Sequence, residues 1–342
     1  MSKDRYSRQT LFAPIGKAGQ EKLQRAHVLV VGAGALGASI SEILVRAGIG
    51  QLTIVDRDYV EWSNLQRQQL YTERDAEDHL PKAIAAERRL SQINSDVSIQ
   101  GKIADLDVQE LAKYCQVIDL IIDATDNFET RMLINDSAQK YKIPWIYGGC
   151  VGSTGITYTI LPDQTPCLTC LLNTLPLAGE TCDTVGIIGP AVQLVTAHQA
   201  TEALKLLTNE QNTALRNTLL FFDLWNNEYA TINVASMKKN DCPSCGSSPT
   251  YPYLSIENQT KTAILCGRDS VQIRPQRPLE GGLETLSHRL SMLDIKLKSN
   301  PYLINFEVEG YRLVIFQDGR ALVHGTKDIA RAKTLYTRYI GG

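Results

Sequence analysis

The sequence predicts an α/β protein: a mixed sheet with helices on both faces, followed by a small C-terminal α+β domain. Three observations predict it. Apolar, mostly β-branched residues from Val28 to Val31 run into Gly32-Ala33-Gly34-Ala35-Leu36-Gly37, as a buried parallel strand enters a glycine turn. A second strand, Gln51 to Val55, closes on an acid, Asp56. Beyond residue 246 the pattern changes to a strand meander from Phe306 to His324, with turns at Glu309-Gly310 and Asp318-Gly319. The boundary divides 1–246 from 247–342, with GSSPTYP at 246–252 as the linker.

Composition narrows the class. At 342 residues the chain can bury a substantial core, and 43% hydrophobic content is that of a globular protein. Lys and Arg number 35 against 37 Asp and Glu, a net charge of −2, so no global field draws the chain to nucleic acid or an anionic membrane. The start, MSKDRYSRQTLF, has no secretory apolar core, and no stretch approaches the roughly 18 apolar residues of a span. A cytoplasmic protein is expected. Eight cysteines without an export signal argue against a disulfide framework, and four of them form two C-x-x-C pairs.

Taken in order, Asp4 to Arg25 hold RYSRQ and a short helical segment, with Arg5 and Arg8 as the notable residues; a solvated basic terminus is the plain alternative. In the glycine loop Gly32 permits the turn, Gly34 lets a phosphate approach the backbone, and Gly37 lets the next helix pack on the strand. That helix buries Ile40, Ile43, Leu44 and Ala47, ends at Gly48, and presents free N–H groups to an anion at its start. Asp56 lies nineteen residues past Gly37, where a dinucleotide-binding, Rossmann-like unit places its ribose acid. Asp58, Asn64, Arg67 and Lys82 then follow. A nicotinamide cofactor needs only its pyrophosphate cradled, whereas an arginine, a lysine and an amide downstream of the ribose acid suit the triphosphate of ATP. Tyr71 to His79 reads as a loop, and Pro81 opens a helix through Ala83, Ala86 and Leu90. Lys82 at that helix N-terminus is a cation where the dipole favours an anion, a conflict that a phosphate would resolve; a surface lysine is the alternative.

A strand from Val117 to Ile122 leads to Asp123-Ala124-Thr125-Asp126-Asn127, acids at the strand end where open α/β sheets bind ligands. Either acid could cap the helix beginning near Asn127, and Asp126 could hold Mg2+ against phosphate oxygens. Pro144 to Gly149 is a further strand, Gly152 to Leu161 alternates like an added antiparallel one, and Phe221–Leu224 and Glu228–Val234 finish the sheet. Cys167-Leu168-Thr169-Cys170 and, about seventy residues later, Cys242-Pro243-Ser244-Cys245 make paired knuckles suited to a structural Zn2+. Between them Cys182 sits in a polar connection, ahead of a helix from Pro190 with Leu194, Val195, Ala197, Leu204 and Leu207 as its buried side. There a helix dipole could lower a thiol pKa, although a lone loop cysteine is more often inert. The last domain adds an amphipathic helix with Leu283, Leu286, Leu290 and Leu293, and another from about Asp328 to Tyr339. It has no evident catalytic cluster. Cys266-Gly267-Arg268 only faintly resembles a sulfur-carrying rhodanese loop, and the terminal Gly341-Gly342 reads as a frayed helix end.

DRDYVEWSNLQRQ, with RYSRQ before it and DATDN after it, resembles the ThiF/MoeB family, relatives of the ubiquitin-activating enzymes, over about residues 4 to 246. The resemblance implies an ATP-dependent, homodimeric adenylyltransferase. Its substrate would be the C-terminal glycine of a small ubiquitin-like sulfur-carrier protein with a Gly-Gly tail, in thiamine or molybdenum-cofactor synthesis, with a cysteine desulfurase as possible sulfur donor. It implies that Gly32, Gly34, Gly37, Asp56 and Asp58 serve the nucleotide, that Asn64, Arg67 and Lys82 orient phosphates, that Asp126 brings magnesium, and that Arg8 reaches the neighbouring subunit's site. Some members hold the carrier on a cysteine in the region of Cys182. Rival readings are an NAD-dependent dehydrogenase and a zinc-stabilised nucleotide-binding module without turnover.

Overall fold

The computed structural model describes residues 5–172, 185–208, 213–255, 262–264, 269–275, 279, 281–293 and 295–340. Packing divides the chain into two units, Met1–Asn258 and Gln259–Gly342. The first is an eight-stranded sheet in the order β3-β2-β1-β4-β5-β6-β7-β8. β1 (His27–Val31), β2 (Gln51–Asp56), β3 (Ser98–Ile103), β4 (Leu120–Asp123) and β5 (Trp145–Val151) run parallel. β6 (Thr154–Ile160), β7 (Thr218–Asp223) and β8 (Glu228–Asn233) extend it antiparallel. Strand order reverses between β1 and β4, so the crevice for a ligand opens at the carboxyl ends of β1, β2 and β4.

Alternation along β1 shows why the sheet is covered twice. Leu29 and Val31 face a core closed by α6 (Val108–Tyr114) and α7 (Phe128–Tyr141), with Leu111, Met132 and Ile134 inside. The opposite face meets α3 (Ala35–Ala47), α5 (Lys82–Ile93) and α9 (Gly189–Thr208). Gly48, in the left-handed region at φ 80°, ends α3 as expected. Before β1, α1 (Ser7–Thr10) and α2 (Gly16–Leu23) pack together.

Several expectations change. The stretch read as a loop before Pro81 contains α4 (Glu73–Glu77), nucleated by a reciprocal cap between Thr72 and Asp75. The strand expected from Val117 starts at Leu120, and Val117 is exposed because Asp119 is still turning onto β1. α9 buries Val192, Val195, Thr196, Gln199 and Glu202, a face rotated from the predicted apolar stripe, because polar side chains there bond internally. Ala197 is exposed instead. Residues 246–255, which include the expected linker, pack back on the first unit: Thr250 N–H donates to Pro243 O and Tyr253 N–H to Asp136 Oδ2. α8 (Leu168–Leu172) carries the first cysteine knuckle.

The second unit is a six-stranded antiparallel sheet with the order β11-β12-β13-β14-β10-β9. β9 is Thr262–Ile264, β10 Ser270–Ile273, β11 Leu297–Ser299, β12 Leu303–Val308, β13 Tyr311–Phe316 and β14 Ala321–His324. α10 (Gly282–Ser291) and α11 (Ile329–Tyr339) bury Leu286, Leu290, Ala332 and Leu335 against it. Leu293 lies past the end of α10 and is exposed. Glu309 (φ 54°) and Gly310 (φ 79°) make the β12–β13 turn, and Glu309 ties it to α11 through Arg331, Arg338 and Tyr339.

Candidate functional site

The glycine loop and the acid of β2 form one hydrogen-bonded assembly. Gly32 sits at φ 95° with no room for a Cβ beside the Ala124 carbonyl, and a Cβ on Gly37 would strike Gly32 O. Around Gly34 the space is open: the nearest atom to an added Cβ is Gln68 Nε2 at 4.0 Å. Two glycines therefore serve packing, and the third leaves the helix N-terminus accessible to an anion. Ala33 N–H donates to Asp56 Oδ2 and Asp58 N–H to Asp56 Oδ1, each at 2.6 Å, which pins the carboxylate at the loop. Burial pushes the Asp56 carboxyl above its usual range, Lys82 opposing the shift and Asp58 adding to it.

Lys82 is 3% exposed at the first turn of α5, and its Nζ lies 3.4 Å from Asp58 Oδ2. The anion that offsets its place at a helix N-terminus is thus this carboxylate, within the protein itself, and the surface-lysine alternative is excluded. Asn64 is buried, and its Oδ1 accepts from Glu61 N–H at 3.0 Å, so it shapes the turn that carries Arg67. Arg67 donates to Ser63 O at 2.9 Å and borders a cleft of about 780 Å³ lined also by Leu65, Gly189, Leu194, Leu224 and Tyr229.

At the end of β4 the two acids separate. Asp123 is fully buried and accepts from Thr125 N–H (2.9 Å), Thr125 Oγ1 (2.7 Å) and Arg131 Nε (3.1 Å). Arg131 continues to the Thr125 and Gly148 carbonyls and lies over the Tyr147 ring, 5.3 Å from its centroid. Gln199 Nε2 donates to Asp123 O at 3.0 Å. Asp123 therefore supports the loop, and the cap of α7 is Asn127, whose Oδ1 accepts from Thr130 N–H at 2.8 Å. Asp126 neither caps α7 nor is buried; its carboxylate is exposed at the end of β4, within the electrostatic reach of Arg57 and Arg131. Arg57, Arg131 and Gln199 escaped the sequence reading. Arg57 adjoins Asp56 in DRD, a visible signal, whereas Gln199 sits in a helix that looked apolar.

Arg8 is not brought to this cluster. α1 docks at the other end of α3: Gln9 Nε2 donates to Ala47 O at 2.8 Å, and Tyr6 OH accepts from Asn94 Nδ2 at 2.9 Å. α3 has thirteen residues, so about 20 Å of helix separates this end from the glycine loop. Arg8 itself is exposed.

Cys167, Cys170, Cys242 and Cys245 converge, all four Sγ atoms lying within 4.8 Å of one another. The Cys167–Cys242 and Cys170–Cys245 sulfur separations are 3.6 and 3.5 Å, close to the roughly 3.8 Å edge of a tetrahedral thiolate site with 2.3 Å metal–sulfur bonds. Their neighbours are fixed too: Asn135 Oδ1 accepts from Leu168 N–H at 2.8 Å, and Thr169 and Ser244 hydroxyls meet at 2.8 Å. The donors fit a metal ion. Burial pushes the separate Cys115 thiol up to about 12, which makes it inert. Cys182, Cys266, Arg268 and Gly341-Gly342 lie outside the described residues.

Residues 6–244 match the model of the ThiF family. The sulfur carrier protein ThiS adenylyltransferase of Bacillus subtilis is 54% identical over 337 residues, 98% of this chain and 99% of that protein. The ThiS adenylyltransferase of Escherichia coli is 34% identical over 249 residues, 72% of this chain and 97% of its own length. Among solved structures, E. coli MccB with ATP superposes with a TM-score of 0.62 at 23% identity, covering 72% of this chain and 75% of that one, a likeness of fold. Among the described residues no helix is long and apolar enough to cross a membrane.

Proposed function

The chain belongs to the ThiF family, and from that premise we propose that it is an ATP-dependent adenylyltransferase acting on the C-terminal glycine carboxylate of a ubiquitin-like sulfur-carrier protein. The observation that carries the reading is the 54% identity, end to end, with an enzyme named for adenylating ThiS, which also favours the thiamine branch. In the reaction a carrier carboxylate oxygen bonds to the α-phosphorus of ATP as the bond to pyrophosphate breaks, leaving a mixed anhydride open to a sulfur nucleophile. The protein's task is positioning and charge compensation. Asp56 takes the ribose hydroxyls, with Gly32, Gly34 and Gly37 shaping the loop beneath the phosphates. Arg67 and Lys82 neutralise phosphate oxygens, Asn64 setting the turn that carries Arg67 and Asp58 orienting Lys82. Asp126 is the carboxylate that would hold Mg2+, whose charge would offset the triphosphate. The apolar cleft beside Arg67 suits an extended glycine-ended tail.

Arg8 completes the site of a second copy, which makes the working unit a homodimer; its exposure and its distance along α3 from its own glycine loop support this. The four cysteines hold one structural Zn2+. The protein works in the cytoplasm, where ATP is available, with a cysteine desulfurase supplying sulfur. Cys182 is the candidate thiol for a carrier adduct. The family match ends at residue 244, and the E. coli relative is 97% covered by 249 aligned residues, so the second unit is an accessory module to the adenylation chemistry. The test is pyrophosphate exchange into ATP. Exchange that depends on carrier is expected; its absence with ThiS-type carriers would return the chain to the nucleotide-binding or dehydrogenase readings.

A further inference from the structure

We propose that Gln68 binds the nucleotide directly: its side-chain amide donates to the phosphate joined to the ribose, an inference that rests on the ATP-dependent reading above. Gln68 is 3% exposed, yet its Oε1 has no hydrogen-bond partner among the described residues. Its Nε2 faces Gly34 and is the nearest described atom to a Cβ built there, at 4.0 Å. Gly34 is the N-cap of the thirteen-residue α3 and supplies no side-chain cap, so the N–H groups of the first turn look onto the same space. Gly34 and Ala35 are partly exposed, which leaves that space open to a ligand. Ala33, one residue earlier, donates to Asp56, the acid assigned to the ribose. The phosphate nearest the ribose is therefore the one that lies over Gly34, with the helix N–H groups on one side and the Gln68 amide on another.

The turn that carries this amide is stitched to the glycine loop. Gln68 N–H donates to Asn64 O at 3.0 Å, and Gln68 O accepts from Tyr71 N–H at 3.2 Å. The buried Tyr71 OH in turn donates to Ala33 O at 2.5 Å and lies 3.3 Å from Lys82 O, joining the glycine loop to the start of α5. The amide thus holds its place beside Gly34 before any nucleotide arrives, as a preorganised donor must. Packing alone does not explain a glutamine here. A buried amide oxygen without a partner is unfavourable, and methionine or leucine would fill the volume without that penalty. The end of the amide turned toward Gly34 is the end that donates, which is what an ionised phosphate oxygen requires. A hydrogen bond to such a charged acceptor is stronger than one to a neutral group, so bound nucleotide offsets what the buried amide loses.

The experiment is calorimetric titration of the full-length protein with ATP, AMP and adenosine, without carrier. The wild type is read first: a protein that binds none of the three removes the ATP-dependent reading and this one with it, whereas one that binds ATP confines the test to Gln68. Gln68→Met keeps the length of the side chain and removes the donor. It should weaken ATP and AMP on the order of tenfold, as loss of one hydrogen bond to a charged group does, and leave adenosine within about twofold, because a nucleoside has no phosphate. Gln68→Glu puts a carboxylate in the same shape and should weaken ATP and AMP further by repulsion while again sparing adenosine. Unchanged ATP and AMP binding in Gln68→Met would overturn the contact. An equal loss for adenosine would overturn it too, since that pattern marks a packing role. Should the methionine variant melt early, the contrast between AMP and adenosine in Gln68→Glu decides in the same way.

Discussion

Two charged side chains near the glycine loop differ in what their loss should do. Lys82 and Asp58 form a pair with side chains only 4% and 14% exposed. Lys82→Ala leaves a buried carboxylate uncompensated, and we expect a stability loss of about 3 kcal/mol in denaturant unfolding together with loss of exchange. Asp126 is exposed and carries no structural bond among those described, so Asp126→Ala should lower carrier-dependent exchange by at least a hundredfold, on the order of what one electrostatic group contributes, while the unfolding midpoint barely moves. Normal exchange in a folded Asp126→Ala protein would remove magnesium binding from that residue. Asp123, three residues earlier, should behave oppositely: its loss strands Arg131 in the core and costs folding first.

The element we expect to depend most on a bound group is the pair of knuckles. One sits on α8 and the other just after β8, about 75 residues apart in sequence, and the described bonds that join them are few: the sulfur contacts and the Thr169–Ser244 hydroxyls. Binding free energies of roughly 10–16 kcal/mol in small zinc peptides show how much a closed thiolate site can contribute. We expect one zinc per chain by metal analysis, and a lowered melting temperature on chelation or in Cys242→Ser. Four freely titrating thiols in folded, metal-free protein would refute it. α9 illustrates a second kind of dependence. Its buried Glu202 is satisfied by Thr159, Lys205 and the Arg216 N–H, so a helix whose buried side the sequence reads as apolar also carries a satisfied buried acid inside the first unit.

For the whole molecule the decisive question is whether two chains share a site. α1 is anchored to the far end of α3 by Gln9 and Tyr6, which fixes Arg8 away from its own nucleotide loop. Mixing Arg8→Ala with Asp126→Ala chains should therefore restore part of the exchange activity, since some heterodimers carry one site with both residues intact. No recovery despite demonstrated subunit exchange would place Arg8 outside the chemistry. Chains ending after Asn258 should retain adenylation, because the second unit has its own core of Leu286, Phe306, Leu313 and Leu335 and lies outside the family match.

The sequence by itself determined the nucleotide unit: strand, glycine loop, helix, second strand and acid depend on local periodicity and on glycine's freedom near Gly32, which a linear chain displays openly. The cysteine knuckles were legible for the same reason, since C-x-x-C spacing fixes each half of the site. Even the turns at Glu309-Gly310 and Asp318-Gly319 could be read directly. What only the tertiary structure decided were the partnerships. That Lys82 answers Asp58, that Asp123 supports while Asp126 stands open, that Arg57 is braced by Asp105, and that Gln199 reaches the β4 carbonyl all depend on residues distant in sequence. Side-chain type states what a group can do; only packing across β2, β3, β4 and α9 states which neighbour it must do it with.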